Sequence, residues 1–304
     1  MKNLGIYYGW LNALNSATHA WSNEAVARDL ARYHLLVLGD GVQESAHGDY
    51  TNTKVILPRI KELNPNCVFY GYVTVNQTYD NFVAKVKEWQ ILGVEGIFFD
   101  EAGYDFGTVA TNSRSAFNEK VRFVKAADMF CFINAWNPDH VLGIENDVSY
   151  PNPTWNPGLL DSPLDESDYL LLESFGITSL GTFETPTAWF ARGEKALEMR
   201  EEYGIQLAGS SVIPDGHEDE VERMQFLSVS AAMWDLDALG TSDENYGASS
   251  AKMKLVARPD MRGLELGDSA VVFLETNKYA CYGENGMVNI DFASGAESSS
   301  ILFY

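Results

Sequence analysis

Eight short apolar runs recur along the chain, separated by amphipathic stretches: LGIYYG (4–9), HLLVLG (34–39), CVFYGYVTV (67–75), VEGIFFD (94–100), MFCFINAW (129–136), DYLLLESFG (168–176), IQLAGSSVI (205–213) and DALGTS (237–242). Runs that are apolar at consecutive positions read as strands of a parallel sheet covered on both faces. Between them, apolar residues return at helical spacing over 24–32, 55–63, 81–92, 113–127, 187–203 and 218–236. Strand and helix alternating through about 250 residues predict an α/β fold, a (β/α)8 TIM barrel over 1–260. Boundary signals agree: Ser22-Asn23 and Thr185-Pro186 precede helices, and Gly93 and Gly204 close helices just before a strand.

Two segments break the alternation. NPDHVLGIENDVSYPNPTWNPGLLDSPLDES (137–167) is rich in Pro, Asn and Asp and too long for an ordinary connection, so it reads as a functional loop over the barrel mouth. Its Tyr150 and Trp155 suit either stacking on a sugar or anchoring the loop. After Arg258-Pro259, SAVVFLETNKYACYGENGMVNIDF reads as strands joined by turns with no helix between them, a β-rich extension over 261–304.

Composition narrows the partners. The 304 residues carry 21 Lys and Arg against 43 Asp and Glu, a net charge of −22 that disfavours nucleic acid and anionic membrane surfaces. No run reaches about 18 apolar residues, so no membrane-spanning helix is expected. The opening MKNLGIYYGW is followed at once by Asn12, Asn15 and Ser16, which does not read as a secretion signal. Cys67, Cys131 and Cys281 lie far apart, as buried thiols do rather than a disulfide framework or a zinc knuckle. The five histidines show no paired spacing, and neither a phosphate-binding GxxxxGK[ST] nor a GxSxG elbow occurs. No cofactor and no metal is therefore expected.

In a barrel of this kind chemistry gathers at the C-terminal ends of the strands. Collected there are Trp10, Asp40, Thr74, Asn76, Asp100, Glu101, Asn134, Trp136, Glu173, Ser210, Asp243 and Glu244. Asp100, Glu101 and Glu173 stand apart because each directly ends an apolar strand, where a carboxylate without partners is costly. Asp100 shares strand parity with Phe98, and Glu173 with Leu171 and Tyr169; the sequence leaves open which parity faces inward. Two carboxylates flanking a bond, with flat aromatic neighbours such as Trp10, Tyr72, Trp136 and Phe175, fit glycoside hydrolysis. Metal-free acid catalysis ranks above a divalent ion held by Asp100, Glu101 and Asp243.

VEGIFFDEAGYD followed by YLLLESFG resembles the spherulin-4-like glycosidases, glycoside hydrolase family 135, with kinship to families 114 and 166, whose fourth strand reads roughly G-[IV]-F-[FL]-D-E. The resemblance spans about residues 4 to 260 in order and spacing. It implies a barrel that cleaves α-1,4-linked galactosamine or N-acetylgalactosamine polymers, with Asp100 as nucleophile, Glu101 as supporting acid and Glu173 as general acid/base. Tyr8, Trp10, Asp40, Tyr72, Asn134, Trp136, Ser174 and Asp243 complete the expected substrate-binding set. Asn134, Tyr8 or Tyr72 should point at Asp100, and the surroundings of Glu173 should be apolar. The expected partner is a polysaccharide, met outside the cell after lysis or as part of a virion or cell-surface assembly, or else inside the cytoplasm. A carbohydrate-binding or structural module without turnover is the alternative.

Overall fold

A computed structural model of the chain describes residues 1–14, 21–39, 41–214, 219–242, 253–254, 271–275, 277–283, 286–292 and 298–303. The eight apolar runs become eight strands: β1 Lys2–Tyr7, β2 Leu35–Leu38, β3 Val68–Thr74, β4 Gly96–Asp100, β5 Phe130–Asn134, β6 Tyr169–Leu172, β7 Gln206–Val212 and β8 Ala238–Ser242. Each pairs in parallel with its successor, and β1 closes on β8 through Lys2↔Ala238 and Asn3↔Leu239. The chain is a TIM barrel.

The period of two along each strand divides its residues between two cores. Leu4, Ile6, Val37, Tyr70, Phe98, Phe132, Tyr169 and Leu171 fill the barrel interior with Ala208 and Ala238. Their neighbours Leu36, Phe69, Ile97, Phe99, Ile133 and Leu170 face the outer helices. Gly71 shows why one strand position must lack a side chain. A Cβ there would fall 2.3 Å from the Trp89 ring, whose Nε1 donates to Tyr72 O at 3.0 Å.

The outer layer comprises α1 Asn23–Leu30, α2 Tyr50–Leu63, α3 Tyr79–Ile91, the single turn α4 Val109–Asn112, α5 Arg114–Ala126, a second single turn α6 Asn152–Trp155, α7 Pro186–Tyr203 and α8 Glu220–Met233. Ser22, Thr78, Ser113 and Thr185 accept from the backbone N–H three residues on, the N-cap bond that starts a helix. Gly204, at φ 71°, ends α7. Among the described residues, no helix is long and apolar enough to cross a membrane.

The crossover from β5 to β6 carries no helix beyond one turn. The segment instead wraps a buried guanidinium: Arg114, at the start of α5, donates to the carbonyls of Asp139, His140, Leu142, Gly143 and Leu160 at 2.6–3.4 Å. Five carbonyls that a helix would have satisfied internally are satisfied by one side chain. Tyr104 stacks on His140 at 4.2 Å and on Trp155 at 5.0 Å, with Tyr150 edge-on to Trp155 at 5.4 Å. Of the two roles open to Tyr150 and Trp155, these contacts are those of loop anchoring.

Beyond the barrel, β9 Met253–Lys254 runs antiparallel to β8, and a four-stranded antiparallel sheet follows: β10 Val272–Glu275, β11 Lys278–Gly283, β12 Gly286–Asp291 and β13 Ser298–Phe303. Tyr279 and Phe292 pack against Trp189 of α7 at 5.2 and 5.5 Å, and Phe292 against Phe226 of α8 at 5.7 Å. This places the sheet on the outside of the barrel. Cys67, Cys131 and Cys281 are buried free thiols.

Candidate active site

Asp100 and Glu173 continue the inward parity of their strands, set by Phe98 on β4 and by Tyr169 and Leu171 on β6. The chain then turns sharply at both places: Glu101 and Ser174 each adopt φ 55°, a left-handed conformation that costs a non-glycine residue about 1–2 kcal/mol. Neighbouring groups hold each turn. Asp100 O accepts from Val75 N at 2.8 Å and Glu101 O from Asn112 Nδ2 at 2.7 Å. At the other turn Arg192, reaching up from α7, donates to Glu173 O at 2.6 Å and Ser174 O at 3.3 Å.

The two carboxylates meet on one donor. Asn134, the last residue of β5, directs Nδ2 to Asp100 Oδ1 and to Glu173 Oε2, each at 2.8 Å. The hydrogens of an amide nitrogen diverge by about 120°, so two acceptors at this distance stand about 5 Å apart. Asp100 has a second donor, the Tyr72 hydroxyl, at 2.8 Å from Oδ2. Burial, then the charge of Asp100 and the bond to it, then the charges of Glu101 and Glu173, push the Tyr72 phenol well above its usual range. It therefore stays protonated and keeps its donor.

Glu101 leaves its turn toward β3, where its Oε2 accepts from Thr74 Oγ1 at 2.8 Å. The partners seen at Glu173 are polar: Asn134 bonds its side chain and Arg192 its backbone, while its chain neighbours Leu172 and Phe175 are buried in the outer core.

The aromatic residues at the rim divide into two kinds. Tyr8 packs edge-on against Tyr72 at 5.0 Å and does not take the donor position on Asp100 that Asn134 and Tyr72 hold. Trp136 is 67% exposed, with the Arg192 guanidinium 5.3 Å from its ring centroid. Trp10 is 42% exposed and lies edge-on to His47. Asp40, Asp243 and Glu244 lie outside the described residues.

Arg192 and a cavity of about 390 Å³ beside Glu173 were not legible in the sequence. Asn134 and Trp136 share that cavity with Asp105, Asn137, His140, Asp147 and residues of α7. An arginine eighteen residues beyond Ser174 gives no periodic signal that its head returns to the strand end. Among the described residues, no three His, Cys, Asp or Glu side chains form a group that could hold a metal ion.

No protein-family model matches the chain, and no curated protein matches it in sequence. Solved structures match its architecture loosely. The xylanase 10B of Thermotoga maritima is 14% identical at a TM-score of 0.45, over 78% of this chain and 82% of that one. The carboxyl transferase domain of Rhizobium etli pyruvate carboxylase is 9% identical at 0.42, and this chain spans 40% of its length and 79% of its own. A bacterial fucosidase is 9% identical at 0.39, over 99% and 89%. Glycosidases thus occur among the barrels that resemble this one, at similarities that carry no argument about activity.

Proposed function

We propose that the protein is a metal-independent, endo-acting glycoside hydrolase with Asp100 as nucleophile, Glu173 as general acid/base and Glu101 as a supporting acid. The observation that carries this reading is the single Asn134 amide nitrogen donating to both carboxylates. The separation of about 5 Å that it implies is close to the carboxyl spacing of retaining glycosidases, about 5 to 5.5 Å, and short of the roughly 6.5 to 9.5 Å of inverting ones.

The chemistry divides as follows. Asp100 attacks the anomeric carbon while Glu173 gives its proton to the departing oxygen; the glycosidic bond breaks and a glycosyl ester of Asp100 forms. Water then attacks the ester as Glu173 takes its proton, regenerating both groups. Tyr72 and Asn134 hold Asp100 with one hydrogen bond on each oxygen, which fixes the direction its carboxylate presents to the anomeric carbon. Trp136 offers an exposed ring against which a sugar can stack.

For the substrate we propose a polymer of α-1,4-linked galactosamine and N-acetylgalactosamine. The likeness of VEGIFFDEAGYD and YLLLESFG to the spherulin-4-like glycosidases supports it, and so does the charge of −22, which draws a partly deacetylated, cationic polymer. Incubation with that polymer tests the reading: new reducing ends, unchanged by a chelator, are expected. Binding without new reducing ends would favour a carbohydrate-binding or structural module on the same barrel.

A further inference from the structure

β6 ends at Leu172, so the chain from Glu173 to Gly176 lies beyond the ladder and must find other partners for its backbone. Phe175 is tied to β7: its N–H donates to Ser210 O at 2.9 Å and its carbonyl accepts from Ser211 Oγ at 2.6 Å. Two charged side chains hold the segment from the other side. Arg192 donates to Glu173 O at 2.6 Å and to Ser174 O at 3.3 Å, and Glu184 Oε2 accepts from Gly176 N at 2.6 Å. Glu184 N donates in turn to Gly176 O at 2.9 Å.

The two side chains also hold each other. Arg192 Nη1 donates to Glu184 Oε1 at 2.6 Å, and the Glu184 side chain is only 7% exposed. A bridge between Ile177 and Phe183 folds the intervening loop back, which returns Glu184 to Gly176. The guanidinium lies against two aromatic rings, 5.3 Å from the Trp136 centroid and 5.7 Å from that of Phe175. A planar fork so placed serves two carbonyls and a carboxylate at once, which a lysine ammonium does not reproduce. At the equivalent turn after β4, Asp100 O and Glu101 O rely on neutral donors, Val75 N and Asn112 Nδ2. The turn behind Glu173 is held instead by an ion pair.

The consequence reaches the carboxyl group. Ser174 adopts φ 55°, which a serine keeps only where its surroundings impose it. Without the pair the Glu173–Ser174 peptide is free to rotate, and the Glu173 carboxyl, bonded to Asn134 Nδ2 at 2.8 Å through one oxygen, loses the backbone that aims it. We propose that Arg192 and Glu184 form a positioning pair that sets where the Glu173 carboxyl stands relative to Asp100, acting on proton transfer through the backbone; the assignment rests on the hydrolase reading above.

The experiment measures kcat/KM of the native protein, Arg192→Met, Arg192→Lys and Glu184→Gln on an α-1,4-linked galactosamine oligosaccharide and on galactosaminyl fluoride, together with crystal structures of the variants. Oligosaccharide affinity is read by calorimetry with Asp100→Asn added to stop turnover. Arg192→Met is expected to lose at least about tenfold more kcat/KM on the oligosaccharide than on the fluoride, with affinity changed less than about threefold and the Glu173 carboxyl moved off Asn134. Arg192→Lys should recover part of that loss. Glu184→Gln, which keeps the shape of its side chain, should repeat it in smaller measure and carries the test where Arg192→Met does not fold. Equal losses on both substrates, native activity, a fall in affinity that accounts for the lost kcat/KM, or a Glu173 carboxyl still on Asn134 would overturn the proposal while leaving the hydrolase reading intact. Oligosaccharide binding by the native protein without turnover of either substrate would overturn both.

Discussion

The ends of β4 and β6 use the same local construction and arrive at different environments. Each finishes in an inward carboxylate, and each then turns through a left-handed, non-glycine residue at φ 55°. Asp100 accepts one hydrogen bond on each oxygen, from Tyr72 and Asn134. Glu173 accepts from Asn134 at Oε2 and borders the cavity beside α7. Donors on both oxygens fix a carboxylate's orientation, whereas a group that must pass a proton to and from substrate and water needs an oxygen left open to them. In the proposed reaction, this difference between the two strand ends is what assigns Asp100 as nucleophile and Glu173 as acid.

That comparison can be broken by substitution. Asp100→Asn should lower kcat by about 10⁴-fold or more on polymer and on galactosaminyl fluoride alike, since both need the nucleophile. Glu173→Gln should lower kcat/KM on polymer by about 10²- to 10⁴-fold and cost much less in kcat/KM on the fluoride, whose departure needs no proton, while release of the glycosyl group slows with either substrate. Equal losses on both substrates in the Glu173 variant would erase the distinction between the strand ends. Asn134→Ala removes the donor they share, and a loss of about 10²-fold on both substrates is expected; an effect confined to one substrate would show that Asn134 serves one carboxylate only.

Smaller changes sharpen the comparison. Tyr72→Phe takes a donor from Asp100 alone and should lower kcat about tenfold on both substrates, with KM little changed. Trp136→Ala acts on the Glu173 side, removing a sugar-stacking face, and should raise KM for the polymer several-fold while kcat holds. A drop in melting temperature with unchanged KM would instead make Trp136 a packing residue against Arg192.

The barrel was legible because each strand is an apolar run of the right length and the longer helices carry a periodic pattern, four of them opened by a side-chain N-cap. Asp100 and Glu173 were legible for the same reason, as charges ending strands that are otherwise apolar. Their inward direction was not, since a period of two is symmetric until one knows which face meets the helices; Phe98 and Tyr169 in the interior core decide it. Irregular backbone hid the rest. The fold of 137–167 depends on Arg114, which looks in sequence like an ordinary first-turn residue of a helix, and its five carbonyl acceptors have no sequence signature. The role of Arg192 is similarly a matter of long-range geometry, its head bonding the backbone of Glu173 and Ser174.

The most direct test of the division between the two strand ends is to catch the covalent step. Incubating the Glu173→Gln variant with a 2-fluoro-galactosyl fluoride should slow release of the glycosyl group and allow it to accumulate, and peptide mass spectrometry then shows where it sits. The account predicts one glycosyl ester, on Asp100. An ester on Glu101, or polymer cleavage by the native protein with inversion of configuration and no ester at all, would contradict it.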